Sequence, residues 1–404
     1  MEQHIYYERY VGEDSMPINQ WIEFDEKYLS NSDTVSFPII SSLVPKEEIE
    51  VTLANPSEEV LQDFVKGDSV RFCLHPQFAE RTDITCPADL KPFPSLTDME
   101  GIASSSTRTT LCIVDGKMKK YATKHHSPAR MMNYYRTIGA KSVKHALRCS
   151  NLMEAIERPG FAILPETFGA AFPPRNGNRS WGFKVREMVP RPHLSQYDDY
   201  VLIPFFSLYS GNKKDPSAPP LLRKYIDTQA KENHLQYLLK TFMFPLIDHW
   251  VYFLLEHGIV LELHGQNTLI ETNLNTFETG RIVFRDLDLR IHGPLRRAKG
   301  HSMEGLDKDL IYEGATKNRP EGAVLSLKYD RTVGKLFFDF LAKCFEENYG
   351  ISREIVREEC VKHFHSVFPR YQEYLPKVAY DIGTTKYSKN GWHCVEMPVR
   401  WRPE

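Results

Sequence analysis

The stretch that decides the fold runs from Glu262-Leu-His-Gly-Gln-Asn267 to Gly280-Arg-Ile-Val-Phe-Arg-Asp-Leu-Asp288. Each half holds a short apolar run beside a polar cluster, and turn-forming Asn and Gly residues lie between them. This pattern predicts two strands joined by a polar turn, which brings His264 close to Arg285 and Asp286. Carboxylates are ligands for Mg²⁺, and guanidinium groups bind phosphates. The stretch therefore predicts a phosphate and metal site; the plainer alternative is a polar hairpin that only caps a sheet.

The composition indicates a globular protein with no general attraction to nucleic acid or membrane. The 404 residues suffice for two or three domains, and a hydrophobic share of 41% suffices for a proper core. The formal net charge of −2 provides no broad basic surface. We find no apolar run of membrane-spanning length and no signal-peptide pattern at the N-terminus. The seven cysteines lack CxxC spacing, which argues against a zinc or iron–sulfur site and fits a reducing, cytoplasmic location.

A second candidate site precedes a predicted hairpin that ends at Lys124. Small hydroxyls and an arginine occupy Ser104-Ser-Ser-Thr-Arg-Thr-Thr110, and such groups, with exposed backbone amides, can bind phosphate. An ordinary serine-rich loop is the alternative. The basic segment 117–130 includes His125 and His126, and we interpret it as a solvated face or an anion pocket rather than a nucleic-acid patch.

The other predicted elements follow from hydrophobic periodicity and cap residues. Strands are predicted near 36–40, 49–53, 161–164 and 181–189. Helices are predicted over 128–152, about 228–256, 325–349 and 352–368, with a short helix capped by Ser57. Pro245 should kink or split the helix over 228–256. An irregular, mobile loop is predicted over 292–319, and a closing loop and strand after residue 384.

Three motifs, taken together and in order, carry a family resemblance. They are Ser105-Ser-Thr-Arg-Thr109, the pair Lys124 and Arg136, and Glu262-Leu-His-Gly-Gln-Asn267 followed by Arg285-Asp286. They resemble the Ser-Ser-x-Arg-Thr motif, the Lys…Arg pair and the Glu-x-His-x-Gln-Asn…Arg-Asp motif of the NRPS-independent siderophore (NIS) synthetases, the family typified by the aerobactin synthetases. The last motif is the most specific of the three.

The resemblance covers roughly residues 70–400 and implies an α+β fold shaped as a cupped hand, with antiparallel sheets and a helical palm. It implies a thumb-like region with the phosphate cradle over 1–150, a fingers-like β region over 151–225 and a palm over 226–404. It also implies a homodimer that uses ATP and Mg²⁺. In that family a carboxylate is adenylated, pyrophosphate leaves, and an amine or hydroxyl captures the acyl-adenylate, in biosynthesis of a siderophore or related natural product.

Carried over position by position, the resemblance implies a role for each matching residue. The residues implied to bind the nucleotide are Ser106, Arg108, Thr109, Lys124, His75, Gln266, Asn267 and Asp286. The implied metal ligands are Asp286 and Glu262. The implied catalytic residues are His264, Arg136 and Lys124. The implied carboxylate-binding residues are Arg136, His264, Met132 and Arg186.

The sequence also departs from the family pattern. Members of the family are usually longer, and the stretch after His75-Pro76 lacks their fuller His-Pro motif. Met132 stands where citrate-using members commonly have threonine, so citrate is not implied as the substrate.

Two other function classes stay open at this stage. A kinase-like phosphotransferase also has a His-x-Asp…Asn catalytic loop with a metal-binding Asp after it, but Gln266 stands at the position of the catalytic base and cannot accept a proton. The third reading is a decayed synthetase that only binds a partner, against which the intact Arg108, Lys124 and Asp286 argue.

Overall fold

The computed structural model describes residues 1–13, 24–80, 90–131, 134–174, 180–230, 233–315, 320–382 and 394–403. Over these ranges the chain has an α+β fold in which antiparallel sheets dominate the first half and helices the second. This is the fold class that the sequence predicted.

The strands are numbered in chain order. They are β1 (Val11–Glu13), β2 (Phe37–Pro38), β3 (Ile40–Pro45), β4 (Glu50–Leu53), β5 (Val65–Lys66), β6 (Ser69–Leu74), β7 (Ser95–Leu96), β8 (Met99–Ala103), β9 (Thr109–Val114), β10 (Lys117–His125), β11 (Ser127–Met131), β12 (Tyr134–Arg136), β13 (Phe161–Ile163), β14 (Glu166–Phe172), β15 (Trp181–Glu187), β16 (Val201–Pro204), β17 (Gly211–Asn212), β18 (Ile259–Val260), β19 (Thr268–Thr272), β20 (Thr279–Phe284), β21 (Arg290–His292), β22 (Ile311–Tyr312), β23 (Ala379–Ile382) and β24 (Cys394–Met397).

The helices are numbered in the same way. They are α1 (Glu2–Tyr10), α2 (Glu58–Phe64), α3 (Gln77–Glu80), α4 (Ala140–Glu154), α5 (Leu221–Gln229), α6 (His234–Leu238), α7 (Phe244–His257), α8 (Gly293–Ala298), α9 (Ala323–Ser326), α10 (Asp339–Tyr349) and α11 (Arg353–Val367). The π-helical segment Leu239–Met243 joins α6 to α7, and Leu327–Phe338 joins α9 to α10.

A seven-stranded antiparallel sheet forms the centre of the first half, in the order β2-β8-β9-β10-β15-β14-β4. One face packs against the small sheet β5-β6-β3-β7 and helix α2 through buried aromatic side chains, among them Phe64, Phe72 and Phe183. Helix α4 packs against the sheet with Val143 and Leu147. The sheet draws strands from both the 1–150 and the 151–225 regions, so these regions share one structural layer; the division into three regions stays a prediction.

The hairpin with which the sequence analysis began is present as β19 and β20. Its strands pair antiparallel, and β20 also pairs parallel to β13, so a four-stranded sheet forms in the order β13-β20-β19-β16. Leu269 and Val283 face the seven-stranded sheet in a small apolar cluster with Leu111. The segment that follows β20 lies beside β10 and β15, since Asp286 contacts Lys124 and lies 3.8 Å from an Arg186 nitrogen.

The helical half packs around α7, whose Trp250, Phe253 and Leu254 are fully buried. The helix His234–His257 is long and apolar enough to cross a membrane by length and composition, contrary to the sequence reading, but most of its residues are buried inside the protein. Pro245 lies in the first turn of α7, directly after the π-helical segment Leu239–Met243, where its missing amide costs least. The backbone stays helical across this junction, so the predicted kink or split at Pro245 stays a prediction.

Several other sequence predictions are confirmed. Strands occur at the four predicted places, and Ser57 caps α2 by accepting the Val60 N–H at 3.4 Å. The predicted helices over 325–349 and 352–368 correspond to α9–α10 and α11. The closing strand is β24, and the loop before it, over 383–393, lies outside the described residues.

Three predictions are wrong in part. The helix over 128–152 begins only at Ala140, because β11 and β12 pair as antiparallel strands and Gly139 is in an extended conformation before α4. The segment 292–319 is not simply an irregular loop, since it contains α8 and β22, and β22 pairs with β21; residues 316–319 lie outside the described ranges. The helix predicted from about 228 begins at His234, after the separate helix α5.

Candidate functional site

Three neighbouring strands of the seven-stranded sheet place charged side chains together. Lys124 on β10 lies directly opposite Lys184 on β15. Arg186, two residues further along β15, lies opposite Glu166 at the start of β14. Like charges facing each other on antiparallel strands are unfavourable, so this arrangement requires carboxylates close by.

Those carboxylates form what we call the acidic cluster, which consists of Glu166, Asp286 and Asp288. Their oxygen atoms lie within 4.8 Å of one another. We call the cations that hold them the basic cluster, which consists of Lys124, Lys184 and Arg186. Three positive and three negative charges therefore balance in one small volume.

Glu166 is the buried centre of these contacts. Its carboxylate is fully inaccessible and lies 2.9 Å from the Lys184 Nζ and 3.2 Å from an Arg186 nitrogen. Lys124 lies further away, with its Nζ 3.8 Å from a Glu166 oxygen. An uncompensated carboxylate would be very costly at such a site, so Glu166 depends on the basic cluster for its charge.

The two aspartates lie on the open side of the clusters. Asp286 contacts Lys124, and Asp288 lies 2.8 Å from the Lys184 Nζ and 3.6 Å from that of Lys124. Burial alone would raise the pKa of Asp286, but Lys124 and Arg186 hold that pKa well below its usual range. Burial likewise opposes the charge of Lys184, but Asp288 and Glu166 raise its pKa. The cations therefore favour the charged form of Asp286, and the carboxylates favour the charged form of Lys184.

The acidic cluster fits a hard divalent cation. Mg²⁺ takes oxygen ligands, usually one or two carboxylates plus substrate phosphates and water. The Asp286 and Asp288 side chains are 31% and 34% exposed, so their oxygens are accessible, whereas Glu166 lies behind them. Of the two metal ligands that the resemblance implied, Asp286 belongs to this cluster. Glu262 pairs instead with Lys328 at 2.5 Å, and its role as a ligand stays a prediction.

The Ser104–Thr109 loop joins β8 to β9, and its last residue, Thr109, lies opposite Lys124 of the basic cluster. The Ser104 N–H donates to the Thr109 carbonyl at 2.8 Å, and the Thr107 N–H donates to the Ser104 carbonyl at 2.8 Å. Thr107 has a φ of +62°, a left-handed conformation that costs energy for a β-branched residue. The Ser104 and Ser106 hydroxyls lie 3.2 Å apart. The loop is thus held in one tight, strained conformation.

Arg108 links this loop to Arg136. Its guanidinium donates to the Arg136 carbonyl at 2.6 Å, so two of the residues assigned by the resemblance are in contact. Burial lowers the pKa of Arg108 to about 10, while Asp286 opposes that effect. The guanidinium is therefore still charged at neutral pH and can bind an anion.

The turn His264–Asn267 leads into β19 and carries the most specific motif. The His264 carbonyl accepts the N–H groups of Asn267 and Thr268, each at 3.0 Å. Gly265 is required here, because a Cβ would lie 2.4 Å from the Tyr209 hydroxyl. The His264 Nδ1 accepts the Gln266 N–H at 3.2 Å, which leaves the proton of the neutral ring on Nε2.

The ring of His264 is neutral at physiological pH. Burial lowers its pKa to about 4, although Glu262 acts in the opposite direction. Glu262 itself has a pKa of about 2, since Lys328 and His264 outweigh the effect of burial. A neutral imidazole with its Nε2–H free of the turn can donate a hydrogen bond to a bound oxygen.

Arg285 connects the turn to the Ser104–Thr109 loop. Its guanidinium donates to the Gln266 carbonyl at 2.9 Å and to the Ser105 hydroxyl at 3.2 Å. The Gln266 amide reaches the same hydroxyl at 3.4 Å. The two motifs that are farthest apart in sequence are therefore neighbours in the fold.

The structure brings most of the predicted site residues together but not all. His75 is fully buried, with its ring among those of Phe24, Tyr28, Phe37 and Phe78, and burial holds its pKa well below the usual range. It lies in the aromatic core rather than in the charged clusters. Met132 lies outside the described residues. Arg186, predicted to line a substrate cavity, belongs to the basic cluster.

Sequence reasoning missed Glu166, Lys184 and Asp288. Glu166 begins a strand whose residues are buried on both faces and show no polar alternation, so β14 was not predicted. Lys184 lies in a predicted strand, and its position opposite Lys124 depends on the register. Asp288 could have been found, since it follows Asp286 at the spacing that places both side chains on one side of an extended chain.

Comparisons with known proteins agree on the fold. Neither a protein-family model nor a curated protein matches the sequence. Among solved structures, the petrobactin biosynthesis protein AsbB from Bacillus anthracis str. Sterne matches with a TM-score of 0.73 and 17% identity, over 98% of this chain and 74% of that one. The aerobactin synthetase IucC from Klebsiella pneumoniae matches with a TM-score of 0.63 and 16% identity, over 86% of this chain and 64% of that one.

A third structure, the ATP-bound aerobactin synthetase IucA from Klebsiella pneumoniae, matches with a TM-score of 0.63 and 14% identity, over 89% of this chain and 66% of that one. This chain thus spans about two thirds to three quarters of the length of the structures it matches. It therefore has the NIS-synthetase fold that its sequence motifs predicted.

Proposed function

We propose that this chain is an ATP-dependent ligase that adenylates a carboxylate and passes the acyl group to an amine or hydroxyl, in the biosynthesis of a siderophore or a related natural product. The observation that carries the proposal is the meeting of the Ser104–Thr109 loop, the His264–Asn267 turn and the two charged clusters at one place. Structures with the same fold include an aerobactin synthetase with ATP bound and a petrobactin biosynthesis protein.

The chemistry explains why such a set of residues is needed. A carboxylate is a poor electrophile, so its oxygen attacks the α-phosphorus of ATP, the bond to the β-phosphate oxygen breaks, and pyrophosphate leaves. The amine or hydroxyl then attacks the acyl carbon, loses a proton and expels AMP. Both steps move negative charge onto phosphate oxygens, and fixed cations stabilise such charge in the transition state.

The basic cluster and Arg108 supply that positive charge. Arg108 stays charged despite its burial, and Lys124 lies within reach of both aspartates. A Mg²⁺ ion held by Asp286 and Asp288 would add Lewis-acid neutralisation of the phosphates. A ligand carrying phosphates and a divalent cation brings charges of both signs, so it can replace the contacts that the two clusters now make with each other.

Arg136 and His264 are proposed to hold the carboxylate substrate. Arg136 is tied to the loop through its carbonyl, and the His264 ring is fixed by its Nδ1 acceptor bond. A guanidinium can bind a carboxylate with two hydrogen bonds, and a neutral imidazole Nε2–H can add a third. Such positioning of the reacting oxygen can lower a barrier by several kcal/mol.

The kinase-like alternative has less support. The sequence has no Gly-x-x-x-x-Gly-Lys-Ser/Thr loop, and Gln266, at the position of the kinase base, has its amide directed to the Ser105 hydroxyl. Neither feature provides a base for attack on a γ-phosphate.

A hydroxylamine trapping assay tests the proposal. The purified protein is incubated with ATP, Mg²⁺, hydroxylamine and a panel of polycarboxylates, and both pyrophosphate and hydroxamate are measured. We expect both products from at least one acid, and their loss in Arg136→Ala and His264→Ala. The exposed residues Arg223 and His193 provide matched controls as Arg223→Ala and His193→Ala, which should retain full activity. A protein that fails to bind ATP would support the decayed-synthetase reading instead.

A further inference from the structure

The N-terminal helix α1 inserts a glutamate into the junction between the two nucleotide-site motifs. Glu8 is only 2% exposed. One of its carboxylate oxygens accepts the Ser105 N–H at 2.9 Å, and the other lies 2.6 Å from an Arg285 nitrogen. Nothing in the sequence motifs of the site includes this residue.

These contacts connect Glu8 to a network of hydrogen bonds between the Ser104–Thr109 loop and the His264–Asn267 turn. Arg285 donates to the Ser105 hydroxyl and to the Gln266 carbonyl, and the Gln266 amide also reaches the Ser105 hydroxyl. Glu8 thus binds the Ser105 amide in the loop and the Arg285 guanidinium, which itself contacts both the loop and the turn. Removing its charge would leave the buried guanidinium of Arg285 without its carboxylate partner.

Helix α1 is itself firmly attached, so Glu8 has a fixed position. The His4 ring hydrogen-bonds the Leu202 carbonyl of β16 at 2.7 Å. On the other side of the helix, Arg9 donates to the Ser32 and Thr34 carbonyls, each at 2.8 Å. The helix therefore bridges the four-stranded sheet and the segment before β2.

We propose that Glu8 is a positioning residue that holds the Ser104–Thr109 loop against the His264–Asn267 turn in the geometry that binds nucleotide phosphates. The inference rests on the proposed function. Glu8 acts through Ser105 and Arg285 and does not itself touch the substrate. A carboxylate at this place would repel phosphates, but its charge is neutralised by Arg285, so it can order the loop without a net negative charge facing the ligand.

The variant Glu8→Gln separates this role from simple packing, because glutamine has nearly the same shape. Its carbonyl oxygen can still accept the Ser105 N–H, but its NH₂ group then faces the guanidinium of Arg285, donor against donor. The shorter Glu8→Asp keeps the charge and withdraws the carboxylate by one methylene, so it cannot reach both partners. Glu2, on the same helix and exposed, gives the matched control Glu2→Gln.

The first measurement is amide hydrogen exchange without nucleotide, read by mass spectrometry on peptides covering 104–109. We expect at least tenfold faster exchange of this loop in Glu8→Gln and a smaller effect in Glu8→Asp, with β19 and β20 unchanged and with Glu2→Gln identical to the wild type. Unchanged loop exchange in both Glu8 variants would overturn the proposal. Equal acceleration throughout the protein would also overturn it, because it would indicate a global stability effect.

The second measurement is the kinetics of pyrophosphate release at saturating carboxylate. We expect the KM for ATP to rise at least tenfold in Glu8→Gln while kcat falls less than threefold, since the loop can still be ordered by bound phosphate. A fall in kcat with an unchanged KM would contradict the positioning role. The exchange measurement needs no substrate, so if the wild-type protein released no pyrophosphate, the proposed function would fail while the role of Glu8 in ordering the loop would still be decided.

Discussion

Replacing Glu166 with glutamine should destabilise the empty protein and make it depend on a bound anion. The carboxylate is fully buried within 3.8 Å of all three members of the basic cluster. The wild type has three cations and three carboxylates there, so the variant has one cation in excess. Breaking a buried ion pair from one side costs about 3–5 kcal/mol, which should appear as a lower urea midpoint.

Inorganic pyrophosphate should then restore stability more strongly in Glu166→Gln than in the wild type. One excess positive charge about 4 Å from the anion contributes about 1–4 kcal/mol, depending on the effective dielectric. Ligand at a hundred times its Kd adds about 2.7 kcal/mol of stability, so the rescue is measurable. The assay is a set of urea titrations at increasing pyrophosphate concentration.

The control is Glu271→Gln, another buried glutamate, which pairs with Arg281 through two oxygens at 2.7 and 2.9 Å. It should lose a similar amount of stability and gain nothing extra from pyrophosphate. Equal rescue of the two variants would refute the reasoning, because the effect would then not depend on the basic cluster. An undiminished urea midpoint in Glu166→Gln would refute it as well.

Three further predictions concern the loop, the turn and α1. Arg108→Ala should weaken ATP binding at least tenfold in isothermal titration, since a charge-assisted hydrogen bond contributes about 1.5–3 kcal/mol; unchanged affinity would exclude Arg108 from the phosphate site. Gly265→Ala should abolish nucleotide turnover through its contact with the Tyr209 hydroxyl, and adding Tyr209→Phe should restore part of it, whereas no restoration would show that the hydroxyl is not the obstacle. The pKa of Glu8 is lowered to about 2 because Arg285 and His4 outweigh burial, so its contribution to stability is present above an unfolded pKa of about 4.3 and is lost as the pH falls toward 2. Urea midpoints between pH 2.5 and 7 should therefore fall less steeply in Glu8→Gln than in the wild type, and parallel curves would contradict this.

The sequence allowed prediction of the elements whose signals are local. The β19–β20 hairpin followed from apolar runs and turn residues, and α2 followed from the cap at Ser57. The motif residues Arg108, Lys124 and Asp286 were recognised because each lies in a short pattern with a chemical meaning. These are the cases in which nearby residues are enough to specify structure.

The parts that could not be predicted depend on pairing between distant segments. Glu166 becomes a site residue only because β14 pairs with β15. Glu8 becomes one only because α1 packs beside Ser105, which lies 97 residues further along the chain. Neither contact leaves a periodic signal in the chain. The place of His75 also depends on distant packing, since its ring lies among aromatic rings of the core, and its role in nucleotide binding stays a prediction.

The most direct test of the central claim is to identify which bond of ATP breaks. ATP labelled separately in the α- and γ-phosphates is incubated with the protein, Mg²⁺, hydroxylamine and an accepted carboxylate, and the products are separated and counted. Attack at the α-phosphorus predicts AMP and pyrophosphate in equal amounts, with one hydroxamate formed for each AMP. Stoichiometric ADP and orthophosphate would contradict the account, because the γ-phosphate would then be the group transferred.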